Sequence, residues 1–161
     1  MIQRIQSVFL VIIIIIIVTL CGINILHLVY VQPERQTTEY LLNLFYFNIK
    51  LNGVLTESHL QLSLISIAAV VIALSFYILI NFKNRTKQML FTQLNCIAVL
   101  ALMVTFGIKA YLFVPAFSSE KMLMASVLGI ALFIFCFYLI IRVYFLIKKD
   151  DDLVKSADRI R

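Results

Sequence analysis

Residues 7–30 read SVFLVIIIIIIVTLCGINILHLVY, a stretch with no acidic residue, lysine or arginine. A helix needs roughly 20 apolar residues to cross the hydrocarbon of a bilayer. In lipid an unpaired backbone group costs several kcal/mol, so a helix is expected even for six successive isoleucines, which would favour a strand in water. The stretch therefore predicts a first membrane-spanning helix. It is longer than the apolar part of a signal peptide, so we expect it to remain uncleaved.

Three further apolar runs of similar length lie at about 60–82, 89–114 and 122–147. The chain has 161 residues, of which 63% are hydrophobic and 14% charged. Soluble domains are closer to half apolar and a quarter charged. These features predict an all-α integral membrane protein with one domain, 1–161. Short connections between the runs favour an up-down-up-down four-helix bundle, and they leave no room for a separate soluble catalytic domain.

The basic residues are unevenly divided between the two ends of these predicted helices. The more basic end holds Arg4, Lys83, Arg85, Lys87, Lys148, Lys149, Lys155, Arg159 and Arg161, and the other holds Arg35, Lys50 and Lys121. Cytoplasmic loops carry the excess of lysine and arginine, so both termini are predicted in the cytoplasm of a bacterial inner membrane. The net charge is +6, but the basic residues flank apolar runs, so the charge does not indicate nucleic-acid binding.

The loop at 31–58 and the tail at 148–161 are the two sizeable segments outside these helices. Apolar and polar residues alternate before Asn52-Gly53, a strong hairpin signal, which predicts an extracytoplasmic β-hairpin pairing 42–51 with 54–57. An interfacial helix over 41–49 is the alternative. The tail begins with three aspartates and ends with arginines, which favours a short cytoplasmic helix that continues the fourth helix or docks. A solvated, frayed tail is the alternative.

Residues with chemical potential are few and scattered. His27 and His59, with Glu57, could hold a haem or a metal if their helix ends met. Three cysteines, Cys21, Cys96 and Cys136, are interpreted as small packing residues. Embedded Asn24, Asn95 and Thr105 could line a solute path, although an interhelical hydrogen bond is the more ordinary role of such an asparagine. No catalytic motif is present, so neither an enzyme nor a cofactor is predicted.

The two ends of the chain and the connection between the second and third predicted helices carry a family resemblance. MIQRIQSVFL at 1–10, FKNRTKQ at 82–88 with LFTQLN at 90–95, and DDDLVKSADRIR at 150–161 resemble a group of four-span membrane proteins of Bacteroidota known as a domain of unknown function. The resemblance implies an inner-membrane protein of about this length. It supplies no catalytic residues.

The leading hypothesis is a non-enzymatic accessory or assembly subunit with the bilayer and a membrane or cytoplasmic protein as partners. Its predicted docking residues lie on the cytoplasmic face: Arg4, Lys83, Asn84, Arg85, Lys87, Gln88, Asp152, Lys155, Asp158 and Arg159. A second hypothesis is a lipid, quinone or haem binder near His27, His59 and Glu57. A third is a small-solute carrier or channel.

Overall fold

The computed structural model describes residues 2–31, 37–81, 84–113, 122–125 and 127–158. Four helices and five strands follow one another in this part of the chain. In order they are α1 (Ile2–Gly22), β1 (Leu26–Val31), β2 (Thr37–Leu42), β3 (Tyr46–Leu51), β4 (Val54–Leu60), α2 (Leu62–Ile80), α3 (Arg85–Phe113), β5 (Met122–Ala125) and α4 (Val127–Asp158).

The four helices form a ring in which each packs against two others: α1 against α2 and α4, and α3 against α2 and α4. Aliphatic side chains fill the centre of the ring. The core includes the fully buried Ile13 and Ile17 of α1, Val71 of α2, Leu102 of α3 and Ile140 of α4. All four helices are long and apolar enough to cross a membrane, which is compatible with a multi-pass membrane protein.

Chain connectivity gives the bundle two different ends. The strands connect the end of α1 to the start of α2 and the end of α3 to the start of α4. We call this the sheet end. The start of α1, the turn between α2 and α3, and the last turns of α4 therefore lie at the opposite end of the antiparallel helices.

The strands form a single antiparallel sheet with the order β4-β3-β2-β1-β5. The first four strands are two successive hairpins, and β5 joins the sheet beside β1 from a distant part of the chain. The fold is therefore not all-α, and the prediction of a pure four-helix bundle with one small hairpin was wrong. Antiparallel pairing supplies hydrogen-bond partners for the backbone N–H and C=O groups of segments that lie outside the four helices.

The first helix ends at Gly22, well before the predicted end at residue 30. The amide of Ile23 donates to the carbonyl of Thr19, which completes the last turn of the helix. The amide of Ile25 donates instead to the carbonyl of Leu42, the last residue of β2. Because α1 begins at Ile2 rather than at residue 7, its 21 residues are long enough to span without the segment that follows. That segment is free to pair as β1.

The hairpin predicted around Asn52-Gly53 is present as β3 and β4. Asn52 and Gly53 both have positive φ, 49° and 79°, as the favoured two-residue hairpin turn requires. The alternative of an interfacial helix over 41–49 was wrong, because β2 and β3 occupy that range. The hairpin is not isolated: β3 also pairs with β2 along its other edge.

The other boundaries differ from prediction by a few residues to about three turns. The apolar run at 122–147 begins as β5 before α4 starts at Val127. At its other end α4 continues without a break to Asp158, so the predicted C-terminal helix is present as a continuation of the fourth helix, one of the two forms expected, and the alternative of a frayed tail does not apply to 148–158. Asp151 and Lys155 form an i, i+4 ion pair along it.

Candidate functional site

The end of the bundle opposite the sheet carries most of the residues predicted for docking. We call it the polar end, defined as the α2–α3 turn, the first turn of α3 and the α4 extension at 150–158. On either side of residues 82–83, the amide of Asn81 donates to the carbonyl of Tyr77 and the amide of Asn84 donates to the carbonyl of Asn81. These bonds satisfy carbonyl groups that the end of α2 would otherwise leave without partners.

Arg85 joins the start of α3 to α4. Its Nε lies 3.2 Å from Oδ2 of Asp150, and its Nη1 donates to the backbone carbonyl of Asp150 at 3.2 Å. Both side chains are largely buried, with 25% and 18% of their surface exposed. Two contacts from one guanidinium fix orientation as well as distance. The α4 extension is therefore held against the turn at its base.

Gln88 is a structural member of the polar end. Its Nε2 donates to the carbonyl of Ile78 at 3.2 Å, and the side chain is buried. From α3 it reaches the last turn of α2, where carbonyls lack an intrahelical partner. Of the residues predicted to dock, Gln88 is thus turned inward.

The exposed members are Asn84 and Lys87 on one side and Asp152 and Lys155 on the α4 extension. The apolar side chains of Leu153 and Val154 lie on the same surface, where they are 51% and 40% exposed. Lys83 and Arg159 lie outside the described residues. The backbones of Arg4 and Asp158 lie in α1 and α4, and their side chains lie outside the description.

A polar track crosses the buried interface between α2 and α3. The Nδ2 of Asn95 donates to Oγ of Ser75 at 2.8 Å, and Ser75 in turn donates to the carbonyl of Val71. Both side chains are fully buried. The expected interhelical hydrogen bond of Asn95 is therefore present, and a bond of this kind contributes about 1 kcal/mol. Among the described residues, Oδ1 of Asn95 has no hydrogen-bond partner.

The three residues proposed to line a solute path do not come together. Asn24 is exposed in the bend that follows α1, at the sheet end. Asn95 is enclosed between α2 and α3, and Thr105 lies ten residues further along α3, about 15 Å away. They do not line one channel.

The two histidines occupy different strands of the sheet. His27 lies on β1 with its Nε2 3.6 Å from Oε2 of Glu39, and His59 lies on β4 with its Nε2 3.3 Å from Oε2 of Glu57. Strands β2 and β3 separate them, so three strand spacings, about 14 Å, lie between the two.

The sheet register also places the histidines on opposite faces. His27 is opposite Leu41, Leu41 is opposite Asn48, and Asn48 is opposite Ser58. Residues paired in this way share a face, and His59, next to Ser58, points to the other one. No group of three His, Cys, Asp or Glu in the described ranges could hold a metal ion.

A cleft of about 350 Å³ opens between α3 and α4. Gln93 of α3 donates from Nε2 to the hydroxyl of Tyr144 at 3.3 Å beside it. The remaining lining is apolar and includes Cys96, Ile97 and Phe145. Sequence analysis missed both this pair and the pairing of Arg85 with Asp150. The sequence did contain a signal for the ion pair. Its two residues carry opposite charges and lie at the same end of neighbouring helices, Arg85 at the start of α3 and Asp150 directly after Lys149 in α4.

A protein-family model described as "Domain of unknown function (DUF4293)" matches residues 2–160. No curated protein and no solved structure matches the chain.

Proposed function

The chain belongs to the DUF4293 family, and we propose that it is a non-enzymatic accessory or assembly subunit of a membrane complex, docking through its polar end. The observation that carries the proposal is the α4 extension. It continues the helix beyond Lys149 for about 13 Å and exposes Leu153 and Val154.

The extension is positioned rather than free. Arg85 holds Asp150 by its carboxylate and by its backbone carbonyl, so the base of the extension has one orientation relative to the turn. Binding to a preorganised helix costs less ordering entropy than binding to a frayed tail. This supports a docking role over that of a solvated end.

The chemistry of the surface favours a protein partner. Leu153 and Val154 form a small apolar centre, with Asp152 and Lys155 beside them. Interfaces commonly combine an apolar centre with a charged rim. We propose a membrane or cytoplasmic protein as the partner, with a complementary apolar strip flanked by both signs of charge.

We place the protein in the bacterial inner membrane, with the polar end and both termini in the cytoplasm. The excess of basic residues around the α2–α3 turn and in and beyond the last turns of α4 supports this orientation. The resemblance to proteins of Bacteroidota supports the inner membrane. The fold is consistent with it, because the chain connections assign both basic segments to one end of the bundle.

The first test compares Leu153→Asp with Asn24→Asp in the full chain, expressed in its native membrane. Both positions are exposed, and Asn24 lies at the sheet end, outside the strands. In native electrophoresis of a mild-detergent extract, we expect the parent and the Asn24 variant to migrate in a larger complex with another protein. We expect the Leu153 variant to migrate as a smaller species that contains this chain alone, with at least about a tenfold loss of the complex if the contact is central.

Two outcomes would overturn the proposal. One is a parent chain that, at its native expression level, migrates in a species containing no other protein. The other is a complex that contains Leu153→Asp as abundantly as the parent, since the exposed apolar pair would then lie outside the interface.

The alternative of a haem, quinone or lipid binder near the histidines receives no support from this geometry. His27 and His59 are on separate strands and on opposite faces of the sheet. Each already contacts a carboxylate of its own, Glu39 and Glu57 respectively.

A further inference from the structure

Strand β4 is an edge of the sheet and all seven of its residues are exposed. It pairs with β3 along one side, and among the described residues no strand lies along the other. An open edge offers unpaired backbone groups and is a template for another strand. The exposed apolar side chains Leu60 and Leu62, at 50% and 69%, lie at its end.

Much of this edge is regular enough to accept a partner. The register shift between β3 and β4 falls near the hairpin turn, where Ile49 pairs with Glu57 but Lys50 pairs with Leu55. The bulge thus leaves Thr56 as the extra residue. From Glu57 to Leu60 the strand pairs residue by residue with β3.

The polar side chains on this regular part are arranged symmetrically about Ser58. Glu57 precedes it and His59 follows it, with their side chains 3.3 Å apart on one face. If a second β4 paired antiparallel with Ser58 opposite Ser58, each Glu57 would lie opposite the other copy's His59. An imidazole N–H can donate a hydrogen bond to a directly opposed carboxylate, and such cross-strand pairs stabilise a strand pair.

We propose that this edge binds a second copy of the chain, so that two β4 strands pair antiparallel about Ser58 and the two sheets become one of ten strands. The neighbouring register, centred on Glu57, would bring two carboxylates face to face and is disfavoured. The charges also discourage pairing with unrelated strands, which is how natural edge strands avoid aggregation.

This assembly is independent of the polar end. The pairing uses the sheet end of the bundle, and the exposed Leu153 and Val154 lie at the opposite end. The two copies are related by a two-fold axis perpendicular to the sheet. Rotation about this axis leaves each face of the sheet pointing in the same direction in both copies. The contact between identical surfaces is the isologous type found in most homodimers.

Cysteine crosslinking in the full chain in native membranes tests the register directly. Ser58→Cys places two thiols at opposed positions, where Cα atoms are about 4.5–5.5 Å apart and a disulfide can form. Leu60→Cys is the matched control on the same strand. In this register its two copies lie about 14 Å apart, beyond the reach of a disulfide.

After mild oxidation we expect the Ser58 variant to give a product of twice the chain mass, at least about tenfold above the Leu60 variant and the parent. Two differently tagged copies must both be present in it. Equal yields at the two positions, a yield at the parent level, or a product containing another protein would each overturn the proposal.

The charge arrangement is tested in the Ser58→Cys background. Glu57→Lys removes two opposed pairs and should lower the crosslink yield by about fivefold. Adding His59→Glu places a carboxylate opposite each new lysine, with the carboxylate now at position 59, and the yield should recover. If Glu57→Lys leaves the yield unchanged, or the double exchange fails to restore it, the pairing about Ser58 is wrong. Leu153→Asp should leave every yield in this series unchanged, which separates failure of this assembly from failure of docking at the polar end.

Discussion

Gly129 of α4 lies against the backbone of Ile25, in the link between α1 and β1. A Cβ placed on Gly129 would be 3.0 Å from Cγ2 of Ile25 and 3.1 Å from its Cα. The second atom belongs to the backbone, so it cannot move aside as the end of a flexible side chain can. Gly129 therefore allows the sheet and the bundle to approach closely at this junction.

We expect Gly129→Ala to destabilise the protein by about 1–3 kcal/mol through overpacking. The measurement is thermal unfolding in detergent, followed by loss of helical signal. Gly107→Ala is the matched control in α3, because a Cβ there would have no atom of the described part of the chain within 4 Å. Equal melting temperatures for the two variants would contradict the close approach.

Asn95 shows what could be predicted at the level of single residues. An asparagine inside a membrane helix is expected to bond to another helix, and it does so with Ser75. The identity of its partner could not be predicted, because Ser75 is one of several small polar residues on α2 and helix rotation decides which one faces α3. The same limit applies to Gln88, which a sequence places on the surface and the fold turns toward the end of α2.

At the scale of elements, α4 is the clearest case of a boundary set by contacts. Its charged continuation, KKDDDLVKSAD at 148–158, would be marginal as an isolated helix in water. It remains helical as part of the 32-residue α4, with Asp150 held by Arg85 and Asp151 paired with Lys155. Continuity with a packed helix removes the cost of nucleation.

We expect Arg85→Ala to loosen this extension. The loss of a partly buried charge-assisted contact should raise amide hydrogen exchange at 151–156 by roughly fivefold, equivalent to about 1 kcal/mol. Lys87→Ala, in the same turn of α3 but exposed, is the control. If both variants exchange like the parent, the contact with Asp150 does not position the extension.

The strands illustrate the opposite situation, in which a long apolar run is divided. LHLVYV at 26–31 has the β-branched and aromatic composition of a strand, yet it directly continues a run that is long enough for a helix. Its assignment depends on β2 and β5, which come from elsewhere in the chain. A local pattern could identify the turn at Asn52-Gly53 but not the strand that joins from residues 122–125.

At the scale of the whole molecule, two chemically different ends are separated by an apolar bundle. The sheet end carries the exposed strand β4, and the polar end carries the basic turn and the α4 extension. In our proposal these ends face opposite sides of the inner membrane. Each is then available to a different partner: a second copy at the sheet end and another subunit at the polar end.

This orientation predicts a one-sided labelling pattern. With Cys21, Cys96 and Cys136 replaced by alanine, single cysteines are introduced at the exposed positions Val54 and Thr86. An impermeant maleimide applied to intact spheroplasts should label Val54→Cys and leave Thr86→Cys unlabelled until the membrane is opened. The reverse pattern would show that the basic end is outside.

The sequence by itself determined how many helices could span a membrane, roughly where they lie, which end is more basic and where the Asn52-Gly53 hairpin turns. These properties depend on local quantities: the length of an apolar run, the position of charges and the φ angles that a turn demands. Only the tertiary structure decided that β1 to β5 form one sheet, that His27 and His59 lie apart, and that Arg85 holds Asp150. Each of these depends on groups distant in sequence, because a strand or an ion pair is stable only where a partner satisfies it.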